Sequence, residues 1–244
     1  MTRAAIEYLI SDITAIERVL GEHPWLDSLL SPDEAARADR FRRPSDRAAF
    51  RGAHLIFRLM AARRLGVDLD EAGDLEITRR CRTCGGPHGK PTVPGAELSL
   101  SRSNGAVAIA SAPGTSPIGV DIEQVPPDVF SGFDDYVLGP AETLTEGGDS
   151  VRQRIDVWVC KEAAVKTTGH GLSVPPSGLE VMNLPSGIGP HGPWTATIAA
   201  PGNSELDALN ISRLTCPRPY VAALCSADRL PVEAVGLQEV LAGR

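Results

Sequence analysis

Several features that would assign a chain to a membrane, a secretory route or a nucleic acid are missing from this sequence. No stretch approaches the ~20 consecutive apolar residues that a membrane helix needs, and the N-terminus lacks the apolar core and cleavage site of a signal peptide. Its five cysteines are an odd number in a chain of 244 residues, which favours reduced thiols. The net charge of −7 argues against general nucleic-acid binding. These absences predict a soluble, cytoplasmic protein.

Lysine is also scarce, and its positions are informative. Only three of the 24 basic residues are lysines, namely Lys90, Lys161 and Lys166. Arginine keeps its proton in proteins, whereas lysine is a compact ammonium whose pKa shifts readily. Two of the three lysines flank one glutamate, Glu162. This placement indicates chemistry around Glu162 that arginine could not perform.

The segment around Asp121 and Glu123 alternates apolar and acidic residues. This period and its β-branched content predict a strand over residues 118–125. Because side chains two positions apart share a strand face, both carboxylates are expected on one face, with Val120 and Ile122 toward the core. Neighbouring carboxylates repel each other unless a cation lies between them, and Mg²⁺ prefers oxygen ligands. The alternative is an edge strand with a solvated acidic face.

Residues 151–168 predict a helix that ends at Gly169, a residue that favours helix termination. Glu162 and Lys166 are four residues apart and therefore lie on one face of this helix. An exposed ion pair at this spacing would contribute only about 0.3–0.5 kcal/mol to stability. The surrounding apolar residues instead favour Glu162, beside two lysines, as a third metal ligand or a proton-transfer group.

Basic charge is concentrated in one segment of this acidic chain. The segment from Arg37 to Arg64 contains nine arginines and only two acidic residues, Asp39 and Asp46. A local basic surface in an acidic protein suits a small polyanion better than a polymer. An amphipathic helix with a solvated arginine face is the alternative, and the sequence leaves both open.

Cys81 and Cys84 form a C-x2-C motif that is followed four residues later by His88. Such a motif supplies part of a structural zinc site, which uses four ligands. The fourth ligand would have to come from elsewhere in the chain, for example from His54, Cys160 or His191. The Gly-Gly-Pro sequence at 85–87 favours a tight turn that carries free thiols, and this interpretation is preferred over zinc.

The order of predicted elements places the chain in the α+β class. Strands are predicted at residues 4–10, 75–79, 97–101, 106–112, 118–125, 179–183, 194–200, 209–214 and 220–226. Helices are predicted at residues 46–65, 127–138, 141–146, 151–168 and 232–241. Each half therefore offers a helix followed by strands, and residues 1–125 and 126–244 are predicted to form two domains. The stretch 139–150 is expected to be a mobile loop.

Two motifs resemble, in order and separation, the paired signature of the surfactin-type 4'-phosphopantetheinyl transferases. They are G-V-D-I-E at residues 119–123 and W-x-C-K-E-A-x-x-K at residues 158–166. The H-G-K-P sequence at 88–91 resembles the family's Gly-Lys-Pro turn, and S-R-S at 101–103 stands where the family usually has Ser-His-Ser. The arginine-rich helix over residues 39–58 is also similar to that of the family, so the resemblance covers most of the chain.

The resemblance implies a reaction and an architecture. Members of the family transfer the 4'-phosphopantetheine arm of coenzyme A to a serine of an acyl- or peptidyl-carrier protein and release 3',5'-ADP. Their fold implies two similar α+β halves related by a pseudo-twofold axis, with the active site in the cleft between them, in a monomer. Service to polyketide or nonribosomal peptide biosynthesis, and carrier docking near residues 139–150, are further expectations.

The family's residue roles can be transferred to the matching positions of this sequence. The expected ligands of Mg²⁺, or of Mn²⁺ in its place, are Asp121, Glu123 and Glu162. Glu162, or a water that it holds, would remove the proton from the carrier serine, and Lys166 would stabilise or protonate the departing phosphate. The expected catalytic residues are therefore Glu162, Lys166 and Asp121. The residues expected to contact the phosphates of coenzyme A are Lys90, Ser101, Arg102, Lys161, Arg47, Arg51 and His54.

Arg102 departs from the family pattern, in which histidine is usual at this position. Arginine is itself a good phosphate ligand, so coenzyme A binding could survive the change with an altered pH dependence. Two other functions stay open at this point. One is a catalytically impaired homologue that binds coenzyme A or a carrier protein. The other is a Mg²⁺-dependent phosphoester hydrolase that ignores carrier serines.

Overall fold

The chain folds into two units, each with helices packed against its own β-sheet. The computed structural model describes residues 4–144, 150–183 and 194–242. The first unit consists of Met1–Thr78, Pro91–Thr115 and Leu230–Arg244, and the second consists of Arg79–Lys90 and Ser116–Arg229. Helices and largely antiparallel sheets occur in both units, which confirms the predicted α+β class.

The elements of the described residues have the following bounds. The α-helices are α1 (Ile13–Glu22), α2 (Pro32–Ala38), α3 (Pro44–Leu65), α4 (Phe133–Val137), α5 (Ser150–Thr168) and α6 (Leu237–Leu241). The strands are β1 (Ile6–Asp12), β2 (Thr78–Arg79), β3 (Pro91–Thr92), β4 (Ala96–Ser103), β5 (Ala106–Pro113), β6 (Ile118–Gln124), β7 (Glu180–Met182), β8 (Thr195–Ala199), β9 (Asn210–Arg213), β10 (Tyr220–Ser226) and β11 (Val232–Ala234). Short 3-10 helices occupy Pro24–Leu29, Leu69–Asp74, Gly171–Ser173 and Pro176–Gly178. None of the helices in these residues has the length and apolar character needed to cross a membrane.

The first unit is built on a four-stranded sheet against which the long helix α3 packs. The strand order is β11-β1-β5-β4, with β1 and β11 parallel and the other pairs antiparallel. Pro44 in the first turn and the left-handed Gly66 after the last turn set the limits of α3. Phe57 and Met60 of this helix are buried with Ile109 of β5 in the apolar core of the unit.

Asn104 and Gly105 form the turn that joins β4 to β5. Both residues have positive φ angles, 39° and 89°, which a two-residue hairpin turn of type I′ requires. The turn sets the register of the hairpin, in which Ser101 lies opposite Ala108. The hairpin therefore fixes the position of Ser101 and Arg102 near the end of β4.

The second unit is a five-stranded antiparallel sheet with α5 packed against β6 and β10. Its order is β6-β10-β9-β8-β7, so β6 is an edge strand. The close approach of α5 to β6 depends on Gly119, because a Cβ at this position would lie 2.0 Å from the carbonyl oxygen of Ala163 and 2.5 Å from the nitrogen of Thr167. Val159 and Ala164 of α5 are buried in the core of this unit.

Several predicted elements differ from the observed ones. The predicted helix over 127–138 is reduced to α4, because Gly132 adopts a left-handed conformation that a helix cannot continue through. The helix predicted at 141–146 is not formed over residues 141–144, and its last two residues lie outside the described residues. The tail predicted as one helix over 232–241 begins instead as β11, because its residues pair with β1.

The two units also differ from the predicted division after residue 125. The strand β6 and the segment Arg79–Lys90 belong to the second unit, and the segment from Leu230 belongs to the first. Antiparallel pairing with β10 over its whole length places β6 in the second unit. Parallel pairing of β11 with β1 returns the end of the chain to the first. Both pairings join residues far apart in sequence, which a division by sequence position cannot capture.

Candidate active site

Asp121 and Lys166 form the centre of the candidate active site. Asp121 lies in β6 and is only 2% exposed. The Nζ atom of Lys166, on α5, donates to Oδ1 of Asp121 at 2.5 Å. The side chain of Lys166 remains 30% exposed, so its ammonium lies between a buried carboxylate and solvent. The structure thus brings together two of the three predicted catalytic residues, and a solvated acidic face does not describe Asp121.

Glu162, the third predicted catalytic residue, adds a second carboxylate to this group. Burial raises the pKa of Glu162 above its ordinary value of 4.5, and the negative charges of Asp121 and Glu123 raise it further. The positive charge of Lys166 acts in the opposite direction. These four side chains therefore influence one another across the contact between β6 and α5. A carboxylate with a raised pKa is better matched to accepting a proton near neutral pH than an exposed one.

The three predicted metal ligands fit Mg²⁺ in donor type and charge. Asp121, Glu123 and Glu162 offer oxygen atoms only, which Mg²⁺ prefers. Their mutual repulsion, expressed in the raised pKa of Glu162, is what a divalent cation would relieve. Across the described residues, no three carboxylates bring their oxygens within 4.8 Å of one another, so these three predicted ligands are not gathered into one such group. Lys166 balances the charge of Asp121.

Lys161 occupies an environment unlike that of a phosphate ligand. Its side chain is 1% exposed, and its Nζ forms an ion pair with Glu142 and donates to the carbonyl oxygen of Val137 at 2.6 Å. Burial lowers the pKa of Lys161, and the hydrogen bond and charge of Glu142 oppose that shift. Glu142 also accepts from the backbone N–H of Val181 at 2.7 Å. This geometry supports a structural role for Lys161, in place of the predicted contact with coenzyme A.

Lys90 contacts the C-terminal end of α5. Its Nζ donates to the carbonyl oxygen of Thr167 at 2.8 Å. The last carbonyl groups of a helix have no partners within the helix, so an ammonium group at this end stabilises it. The contact of Lys90 with coenzyme A stays a prediction.

In the first unit, Arg102 lies against the ring of Phe50. The guanidinium carbons of Arg102 and Arg37 are each 5.6 Å from the ring centroid, within the range of a cation–π contact. Desolvation and the positive charge of Arg37 lower the pKa of Arg102, and Asp46 opposes them. His54 stacks on the same ring with centroids 3.9 Å apart. Two guanidinium groups around one ring form a positive surface that suits a phosphate group.

Two of the other predicted coenzyme A ligands, Arg47 and Arg51, have carboxylate partners within the first unit. Arg51 forms an ion pair with Asp27 at 2.6 Å, and Arg47 lies 3.9 Å from Asp39. Ser101 is buried in β4. A phosphate group would have to compete with these carboxylates for Arg47 and Arg51, so their contact with coenzyme A stays a prediction.

Three residues that shape these environments were missed by sequence reasoning. Glu142, the partner of Lys161, lies in a segment predicted as a short acidic helix. Phe50 carried no signal beyond its apolar character, and Arg37 entered only as one of nine arginines. The pairing of Glu142 with Lys161 is not set by helical spacing. It could be predicted from the sequence only if the path of the chain between the two residues were already known.

Comparisons with known proteins show which family this chain resembles in sequence. Residues 117–225, which span β6 through α5 to β10, match the model of the 4'-phosphopantetheinyl transferase superfamily. HetI of Nostoc sp., named as a 4'-phosphopantetheinyl transferase, is 32% identical to the chain over 181 residues, which cover 68% of this chain and 72% of HetI. A Synechocystis sp. protein, slr0495, whose name assigns it provisionally to the same enzymes, is 26% identical over 162 residues.

The two alignments differ in how much of each relative they include. The match to slr0495 covers 62% of this chain and 61% of that protein, so the chain spans about three fifths of its length. The match to HetI extends further along both proteins, and it includes more than two thirds of each. Together with the match over residues 117–225, it shows that the chain belongs to the 4'-phosphopantetheinyl transferase superfamily.

Proposed function

We propose that this chain transfers the 4'-phosphopantetheine arm of coenzyme A to a serine of an acyl- or peptidyl-carrier protein and releases 3',5'-ADP. The observation that carries the proposal is the ion pair between Lys166 and the buried Asp121, next to Glu162 with its raised pKa. Membership of the superfamily and the name of HetI support it.

The proposal includes finer expectations that rest on the family resemblance alone. They are the surfactin-type subfamily, two halves related by a pseudo-twofold axis with the active site in the cleft between them, and a monomeric state. They also include a role in polyketide or nonribosomal peptide biosynthesis, with carrier docking near residues 139–150. Of this stretch, residues 145–149 lie outside the described residues.

The catalytic side chains divide the chemistry between them. The carrier serine oxygen attacks the phosphorus that bears the pantetheine arm, a phosphoester bond forms, and the pyrophosphate bond to 3',5'-ADP breaks. Glu162, or a water that it holds, accepts the serine proton. Lys166 donates a hydrogen bond or a proton to the departing phosphate, and Asp121 orients its ammonium.

Asp121, Glu123 and Glu162 would together hold the divalent cation, Mg²⁺ or Mn²⁺. When bound, such an ion would neutralise the charge that develops on the pyrophosphate. Glu162 would then face less repulsion from the other two carboxylates and would be ionised at a lower pH than in the ion-free protein.

Arg102 and Arg37 are the best-supported residues for holding a phosphate of coenzyme A. Their guanidinium groups share the ring of Phe50. Desolvation and the positive charge of Arg37 lower the pKa of Arg102, and a bound anion would relieve the repulsion between the two guanidinium groups. Arginine can bind phosphate through two hydrogen bonds in a fixed geometry. We therefore expect Arg102, which stands where histidine is usual in the family, to bind a phosphate of coenzyme A.

The intact mass of an apo acyl-carrier protein tests the proposed reaction. After incubation with this chain, coenzyme A and Mg²⁺, we expect a mass gain equal to the phosphopantetheine arm, and no gain in EDTA. Asp121→Asn and Glu162→Gln should each lower the transfer rate at least about 100-fold. Glu233→Gln, a matched change of an exposed carboxylate on β11, should leave the rate unchanged.

The outcomes separate the candidate functions. A wild-type rate in either site variant would contradict the assigned roles. No mass gain with several carrier proteins, combined with coenzyme A binding by calorimetry, would indicate the catalytically impaired homologue. Release of 3',5'-ADP from coenzyme A without labelling of any carrier would indicate the Mg²⁺-dependent phosphoester hydrolase.

A further inference from the structure

Outside the candidate active site, Cys81, Cys84 and His88 bring three metal-binding side chains together. In the described part of the chain, this is the one group of three cysteine, histidine or acidic side chains whose ligand atoms all lie within 4.8 Å of one another. The Sγ atom of Cys84 is 3.1 Å from Nε2 of His88. Zinc–sulfur bonds of ~2.3 Å and zinc–nitrogen bonds of ~2.0–2.1 Å put tetrahedral ligand atoms roughly 3.5–3.8 Å apart. Small shifts would therefore bring these atoms around one ion.

The backbone of residues 81–88, called the cysteine segment below, is closed by hydrogen bonds that hold the three side chains in place. The N–H of Cys81 donates to the carbonyl oxygen of Gly86 at 2.9 Å, and the N–H of Gly85 donates to the carbonyl oxygen of Cys81 at 2.9 Å. Gly86 leaves the room that the cluster needs, because a Cβ there would lie 3.3 Å from the Cys84 sulfur and 3.2 Å from the His88 ring.

The cysteine segment is attached to the C-terminal end of α5. Arg82 donates to the carbonyl oxygen of Thr168 at 2.7 Å and forms two hydrogen bonds with Glu205, at 2.7 and 3.1 Å. Lys90 donates to the carbonyl oxygen of Thr167. Arg82, between the two cysteines, and Lys90, two residues after His88, therefore satisfy carbonyl groups that the helix end leaves without intrahelical partners.

We propose that Cys81, Cys84 and His88 bind one Zn²⁺ ion, with water in the fourth position, and that this ion holds the cysteine segment that caps the end of α5. Two thiolates and an imidazole are the donors that Zn²⁺ favours. The sequence favoured free thiols because a fourth protein ligand was not evident. Of the three residues considered for that place, Cys160 is buried in the core of the second unit, His54 stacks on Phe50 in the first, and His191 lies outside the described residues.

Zinc content of the whole chain, purified without chelators, tests the metal site. We expect one equivalent of Zn²⁺ in the wild type and loss of stoichiometric zinc in Cys84→Ser and His88→Ala. Cys216→Ser, a matched change at a half-buried cysteine outside the cluster, should retain zinc. Replacement of zinc by Co²⁺ should give thiolate-to-metal charge-transfer absorption in the wild type and in Cys216→Ser but not in Cys84→Ser.

Three results would overturn the metal site. They are a wild-type chain that binds no zinc, variants at Cys84 and His88 that bind as much as the wild type, and a Cys81–Cys84 disulfide, seen as a mass lower by two hydrogens. Because a variant could fail to fold, circular dichroism of each variant accompanies the zinc measurement, and the Co²⁺ spectrum of the wild type tests thiolate ligation without any substitution.

Amide hydrogen exchange tests the link to α5. Removal of zinc by a chelator should speed exchange in the last turn of the helix, around Thr167 and Thr168, and leave the middle of the helix, around Val157 and Val159, unchanged. Cys84→Ser should behave as the zinc-free wild type with or without added zinc. Identical exchange in the last turn of the zinc-loaded and zinc-free proteins would show that the ion does not hold this helix end.

Discussion

Glu162 illustrates how a single side chain can be unfavourable for stability and useful for catalysis. Its pKa is raised in the folded chain by burial and by Asp121. Below the ordinary pKa of 4.5, Glu162 is protonated whether the chain is folded or unfolded. Between this value and the raised pKa of Glu162 in the folded chain, the unfolded chain releases the proton while the folded chain still holds it. The stability that protonated Glu162 contributes is therefore lost as pH rises through this range. Replacement of Glu162 by an uncharged residue should therefore stabilise the metal-free protein at neutral pH.

Glu162→Gln tests this expectation in urea denaturation with EDTA present. The midpoint for the variant should exceed that of the wild type at pH 7, and the difference should shrink as pH falls toward 4.5. Mg²⁺ should raise the midpoint of the wild type more than that of the variant. Glu233→Gln serves as the exposed control and should show no such pH dependence. A variant less stable than the wild type at pH 7 would contradict the role of repulsion.

Lys161 and Glu142 form a second ionised pair, and this pair is structural. The side chains are 1% and 6% exposed, so loss of either charge leaves the other buried without compensation. Breaking a buried pair by removing one partner costs about 3–5 kcal/mol. Lys161→Met should therefore lower the free energy of unfolding by about this amount, measured by urea denaturation.

A second substitution separates loss of the charge pair from a general effect of altering α5. Lys161→Met combined with Glu142→Gln should recover part of the stability, since no buried charge is then left alone. The recovery should be partial, because the N–H groups of Gly139 and Val181 donate to different oxygens of Glu142, and the single carbonyl oxygen of glutamine can replace only one of them. A double variant as unstable as the sum of the two single changes would show that the pair has no coupling energy.

The contact between β6 and α5 is the element-scale feature on which the candidate site depends. Gly119→Ala would place a Cβ 2.0 Å from the carbonyl oxygen of Ala163 and 2.5 Å from the nitrogen of Thr167, which are backbone atoms that cannot easily move. Overpacking of this kind costs about 1–3 kcal/mol, and it would also shift Glu162 relative to Asp121. We expect a lower unfolding free energy and a transferase rate that falls by more than the loss of folded protein explains.

A matched glycine in the same unit provides the control for this prediction. A Cβ at Gly178 would make only an ordinary contact, 3.7 Å from Pro175, so Gly178→Ala should change neither stability nor rate appreciably. Equal urea midpoints for Gly119→Ala and the wild type would mean that the helix does not need this close approach.

Local pattern predicted β6 and α5 well, because each is a single regular element whose period is visible in the sequence. The predicted helix over 151–168 begins one residue later than α5, and the predicted strand over 118–125 extends one residue beyond β6. The environments of Lys161 and Lys90 could not be predicted in this way. Their partners, Glu142 and the carbonyl of Thr167, come from segments 19 and 77 residues away, which no helical or strand period relates to them.

At the scale of the whole molecule, the chain crosses between its two units more than once. The last segment, from Leu230, returns to the first unit, where β11 pairs with β1 in parallel. Apolar residues at 232, 235, 237, 240 and 241 suggested one helix, since their spacing suits a helical face as well as a strand followed by a short helix. Pairing with β1 decides that this segment begins as a strand, and β1 lies more than 200 residues earlier in the sequence.

Deletion of residues 230–244 should therefore unfold the first unit rather than merely shorten the chain. It removes the strand that pairs with β1, and it removes the buried side chains of Val235 and Val240. Complete burial of such a side chain contributes about 1.5–3 kcal/mol, so the two together account for roughly 3–6 kcal/mol. That is a large part of the 5–15 kcal/mol that typically stabilises a folded domain. Fluorescence of Trp25, with Trp158 and Trp194 replaced by phenylalanine, reports on the first unit.

A shorter deletion distinguishes the contribution of β11 from that of α6. Removal of residues 237–244 leaves the pairing of β11 with β1 intact and eliminates Val240, so the urea midpoint from Trp25 should fall less than in the longer deletion. A chain lacking residues 230–244 with the same Trp25 midpoint as the full chain would show that the first unit is complete without its last strand. We expect the urea midpoint to fall in the shorter deletion and to fall further in the longer one. This result would show that the end of the chain contributes to the core of the first unit.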